Sequence, residues 1–140
     1  MFLPRTQFNK LFEILHASGY RVVGPQLRDG AIVYSEIANE HDLPQGVTVE
    51  QAPGQYHVEP TSQLRFFAWA NGPQALKPFL FKPREVLWRV ERQDDGQLHF
   101  SEAQPSARAL AVIGVRACDL AALKLQDQHF MQGDYPDPAY

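Results

Sequence analysis

The chain has 140 residues, 44% of them hydrophobic and 21% charged, with 11 prolines and a formal net charge of −3. That length suits one domain with a real core, which needs neither disulfides nor a structural metal to stand. The single cysteine, Cys118, excludes an internal disulfide framework and a four-cysteine metal cluster built from this chain alone. Lysines and arginines scattered along a slightly acidic chain leave no electrostatic footprint for nucleic acid or an anionic membrane.

The first ten residues carry Arg5, Gln7, Asn9 and Lys10, so they do not resemble a secretory signal, and the longest apolar run, residues 109–115, is too short to span a bilayer. A cytoplasmic location is the expectation, consistent with one free thiol. Phe8, Leu11, Phe12 and Leu15 recur at i, i+3, i+4 and i+7 and predict a helix over residues 6–18, capped by Thr6 and ended by Gly19. Two β-rich runs follow, 20–28 and 31–37. Asp29-Gly30 between them predicts a hairpin, because a tight turn needs positive φ.

Residues 38–60 are rich in turn formers and predict a meandering segment with edge strands near 47–50 and 55–58. Phe66, Phe67, Trp69, Phe79, Phe81 and Trp88 are then punctuated by Pro73, Pro78 and Pro83, which limits regular structure to short helices starting at Pro73 and Pro83. Residues 86–90 fit either the apolar side of the second of these helices or a strand, and Asp94-Asp95-Gly96 is a turn. The continuous apolar run 109–115 reads as a strand buried on both faces. Residues 120–130 read as a helix with Asp119 as its N-cap and Leu120, Leu123 and Phe130 toward the sheet. The expected fold is α/β or α+β: a single mixed-sheet domain with flanking helices, an N-terminal helix then a β-hairpin, and a C-terminal strand-turn-helix. It spans residues 1–131, and residues 132–140 have no core pattern and read as a linker.

Chemistry has one natural address. Cys118, two residues after Arg116 at the start of a helix, sits where thiolate is favoured, placed to bind metal, meet an electrophile or touch a cofactor. A small buried residue packing a strand-to-helix corner fits the same pattern. Gly114, Arg116 and the helix N–H groups near Asp119 outline an anion site, without G-x-G-x-x-G or G-x-x-x-x-G-K-[ST]. The five histidines share no metal spacing, and no G-x-S-x-G elbow exists. Lys77, Lys82, Arg84, Arg89 and Arg92, interleaved with Phe79, Phe81 and Trp88, form either an adhesive surface for a partner or the solvated side of an aromatic core.

The segment Gly114-Val115-Arg116-Ala117-Cys118-Asp119-Leu120-Ala121-Ala122-Leu123, then Gln126-Asp127, Phe130 and Asp134-Tyr135-Pro136-Asp137-Pro138-Ala139-Tyr140, resembles the iron-sulfur β subunit of NiFe hydrogenase (sulfhydrogenase) and the A subunit of anaerobic sulfite reductase. Pro53-Gly54-Gln55-Tyr56 and Gly72 through Glu85 are similar to segments of the same family in the same order. The resemblance implies an N-terminal accessory domain of a longer electron-transfer subunit. A ferredoxin-like domain with two C-x2-C-x2-C-x3-C runs and two [4Fe-4S] clusters would follow residues 132–140. No cofactor is then expected in this chain alone.

The implied partners are that domain together with flavin-containing and catalytic oxidoreductase subunits. What remains for the present chain is docking, cluster shielding, or one extra ligand from Cys118. Gly114, Arg116, Cys118 and Asp119 are the expected cofactor-binding residues, with Cys118 a metal ligand only in the full-length subunit, and Lys77, Lys82 and Arg84, with Tyr135 and Tyr140 exposed by their position in the tail, are the expected contacts to partners. The other reading is a small-molecule or nucleotide-binding α/β domain using the corner at residues 114–119.

Overall fold

The computed structural model describes the whole chain except residues 1, 73, 75, 81–83, 85, 104–107, 138 and 139. A 3₁₀ turn, Arg5–Gln7, leads into helix α1, Asn9–Ala17. Thr6, expected as the cap, lies inside the 3₁₀ turn, and no side chain caps α1. The predicted apolar stripe is the inner face of α1. Phe12 is fully buried, with Phe8 and Leu15 packed beside it, and burying one such ring contributes about 2 kcal/mol.

Strands β1, Arg21–Arg28, and β2, Ala31–Glu36, form the predicted hairpin. Both central turn residues, Asp29 and Gly30, have positive φ, as a turn of the I′ class requires. The edge strands expected within residues 47–58 are longer and pair with each other, as β3, Val47–Ala52, and β4, Gln55–Pro60. One-turn helix α2, Lys77–Leu80, follows; Pro73 and Pro83, the expected helix starts, lie outside the described residues. Residues 86–90 resolve toward strand: β5, Trp88–Arg92, pairs with β6, Leu98–Glu102, across the predicted Asp94-Asp95-Gly96 turn. Strand β7, Leu110–Val112, runs parallel to β1 and feeds α3, Ala117–Met131.

The central sheet has the order β2-β1-β7 and is mixed, antiparallel on one side of β1 and parallel on the other. Alternation along its strands divides the core in two. Val22, Ala111 and Ile113 face α1 with Phe12, Ile37 and Leu43. Val23, Leu110, Val112 and Tyr34 face the opposite way, against Leu76 and Phe79 of the α2 region and Leu123 of α3. Both faces of the sheet are therefore covered, which is why residues 109–115 are apolar without alternation.

The strand expected over 109–115 is nevertheless only three residues long, and only partly buried at the sheet edge. The cause lies in β1. Val23 C=O accepts from Ile113 N–H at 2.8 Å on the β7 side, so two residues further on Pro25 turns the same edge toward β7. Pro25 has no N–H to offer there, and the ladder stops. Gly114 then turns the chain away with φ +78°.

Helix α3 corrects two further expectations. Its N-cap is Arg116, and Asp119 stands three residues in, accepting from Arg116 N–H at 3.4 Å. Its inner row is Asp119, Leu123, Gln126, Asp127 and Phe130, all partly buried, while Leu120, expected to face the sheet, is exposed.

Candidate functional site

The end of β7 and the start of α3 form a corner outside the carboxyl end of a parallel strand pair, the position where open α/β sheets place their sites. Gly114 is required there twice over. Its φ is +78°, and a Cβ would stand 2.8 Å from the Phe67 ring. Phe67 itself has φ +60°, a left-handed backbone that an aromatic residue adopts only when packing holds it. Its ring lies 5.9 Å from that of buried Trp69, whose Nε1–H donates to Pro44 C=O at 3.2 Å.

Behind the corner, Tyr34 of β2 donates its hydroxyl to Gly114 C=O at 2.8 Å and accepts from Asn71 Nδ2–H at 3.1 Å. Burial raises the Tyr34 pKa. The Asn71 hydrogen bond and the Arg116 guanidinium oppose that rise, while the nearby Asp119 and Cys118 add to it. Tyr56 performs a similar task nearby, accepting from Ile32 N–H at 3.2 Å and donating to Ala70 C=O at 2.8 Å. These two phenols pin the segment carrying Phe67, Trp69 and Asn71 against β2. The Arg116 guanidinium stands 6.0 Å from the Trp69 ring centre, at the outer limit of a cation–π contact.

Gly114, Arg116, Cys118 and Asp119 are thus gathered at one corner, and the structure adds Lys77 to them. Lys77, Asp119 and Gln126 share a groove of about 100 Å³ with Leu76, Leu80 and Leu123. Among the described residues, the buried Gln126 Oε1 accepts no hydrogen bond. The groove is below the roughly 300 Å³ at which small-molecule pockets begin. The Asp119 carboxylate already occupies the positive end of α3, where an outlined anion would have to sit.

Cys118 is a free thiol at the second position of α3 and is exposed, so the buried corner packing that its pattern also allowed is not its environment. It offers one sulfur, and among the described residues no three His, Cys, Asp or Glu side chains converge as a metal site. A [4Fe-4S] cluster takes four such ligands. The residues present do not fit one.

The expected partner residues are dispersed. Lys77 and Arg84 are exposed, and Lys82 lies outside the described residues. Tyr135 is 94% exposed. Tyr140, expected to be exposed, is instead half-buried: it stacks on Phe130 at 5.0 Å and donates to Asp127 Oδ1 at 2.8 Å. Both tyrosines lie by the far end of the 15-residue α3, roughly 20 Å along the helix from the corner.

Tyr34 and Asn71 are absent from the residues that the sequence nominates. The alternation Ile32, Tyr34 in β2 is the available signal for the first, since a tyrosine on an inward face requires a partner for its hydroxyl. Asn71 carries no local signal, because its partner is 37 residues away in sequence.

Comparison with known proteins adds no relative: no family model, no curated protein and no solved structure matches the chain. No helix among the described residues is long and apolar enough to cross a membrane.

Proposed function

We propose that this chain is an accessory docking domain of an iron-sulfur electron-transfer subunit in a multi-subunit cytoplasmic oxidoreductase of the hydrogenase or sulfite reductase type. One observation carries the reading. α3 turns Leu120, Leu125 and Met131 to solvent while its inner row includes Asp119, Gln126 and Asp127. Leu123 and Phe130 supply the apolar part of the inner row, so α3 has apolar residues on both sides, and those left in water are surface for a second partner on its outer face. That face starts in the segment 114–123, on which the resemblance noted in the sequence chiefly rests, and it includes exposed Cys118.

The occupant we assign to it is the subunit's own ferredoxin-like domain. Cluster ligands belong to that domain. This chain contributes shape, a dry cover and the Gly114–Arg116 corner that fixes how α3 leaves the sheet. The test is anaerobic purification of the native protein from its host. A polypeptide heavier than 15.9 kDa that contains this sequence, several irons per chain and broad visible absorption are expected. A native 15.9 kDa protein without iron, associated with no iron-sulfur chain, would refute the proposal.

A further inference from the structure

We infer that the exposed face of the β5–β6 hairpin is the docking surface for a second copy of this chain. The pairs Trp88↔Glu102, Val90↔Phe100 and Arg92↔Leu98 alternate with Arg89↔Ser101 and Glu91↔His99. Successive side chains point to opposite faces, so the first six residues share one face and the last four the other. One face is therefore apolar at its centre and the other is polar throughout. Both faces stand in water, the apolar one included. Trp88 and Phe100 are each 60% exposed, Val90 52% and Leu98 53%, and every residue of the two strands except Ser101 is exposed. A two-stranded hairpin with its apolar face in water is marginal at best, so this face requires cover.

The charges on the face point to the chain itself as that cover. Arg92 stands at the turn end, opposite Leu98, and Glu102 at the other end, opposite Trp88. A two-fold axis lying in the interface and running across the strands reverses one face on the other. Each Arg92 then comes over the partner copy's Trp88–Glu102 pair, gaining an ion pair and an aromatic face together. Val90 and Phe100 fill the centre. The opposite stacking, with strands parallel, places Arg92 near Arg92 and loses both contacts. A central apolar patch with Trp and Arg anchors and a charged margin is also the anatomy of a specific interface. This surface is separate from α3, and the inference does not rest on the proposed function.

Sedimentation equilibrium of the 140-residue chain over a wide concentration range tests it. The expected mass rises from 15.9 kDa toward twice that value, with a blue shift of tryptophan emission from Trp88, since Trp69 is already buried. Val90→Glu, at an exposed position, is expected to weaken the dimer more than about ten-fold with unchanged circular dichroism. Arg92→Glu and Glu102→Arg are each expected to weaken association, and the double exchange to restore it. A monomer at every concentration, a dimer indifferent to Val90→Glu, or a double exchange no better than the single ones would overturn the inference.

Discussion

An alanine at position 114 would have to hold a left-handed backbone while its Cβ met the Phe67 ring. Gly114→Ala is expected to destabilise the fold by about 2 kcal/mol, read by denaturant unfolding. The loss should be smaller in a Phe67→Leu background, because the clash is half of the cause. Tyr34→Phe leaves Gly114 C=O and Asn71 without their shared partner and is expected to cost about 1–3 kcal/mol.

Tyr140 supplies a pH signature. Partial burial, then the hydrogen bond to Asp127 and the Asp127 charge, push its pKa up to about 12 from the ordinary 10.0. The fold thus holds the neutral phenol, so this stabilisation is complete below pH 10 and is lost as pH rises toward 12. Melts across that range should show a falling stability that flattens in Tyr140→Phe, and an unchanged slope in the variant would contradict the assignment. The glycine at 114 could be noticed in the sequence, but its reason could not. Phe67 is 47 positions away, and only the folded chain brings the two together.

Among the elements, what the sequence disclosed depended on how local the cause was. The β1–β2 hairpin follows from Asp29-Gly30, and α1 from a stripe of four apolar residues, both causes lying within the element. The shortness of β7 follows from Pro25 on another strand, and nothing in residues 109–115 announces it. β6 leaves no signal of its own, because Leu98 and Phe100 make too brief an alternation to read without the partner strand. In α3 the apolar residues lie on both sides, so periodicity nominates Leu120 for the core, whereas the partly buried row is Asp119, Leu123 and Gln126. Leu125→Glu should accordingly leave stability within about 0.5 kcal/mol of the parent, whereas Leu123→Ala should lose about 1–2 kcal/mol at its half-buried site. Thermal melts of the two variants distinguish the faces, and equal losses would mean that the inner row has been misassigned.

The whole molecule combines a covered mixed sheet with two outward apolar surfaces, the far side of α3 and the face of β5–β6. Sequence order revealed the layers, because helix, hairpin and strand-turn-helix each left a pattern. It did not reveal which helix side or hairpin face would stay uncovered, since that depends on the other elements of the fold. The proposed docking role requires that α3 be covered by the iron-sulfur domain in the native assembly. Cys118 reports on it directly, being the chain's only thiol and exposed beside that face. The deciding measurement is the alkylation rate of Cys118, read by mass spectrometry, in the isolated 140-residue chain and in the assembly purified anaerobically from its host. Rapid labelling of the isolated chain and protection in the assembly are expected; equal rates in both would refute the docking role.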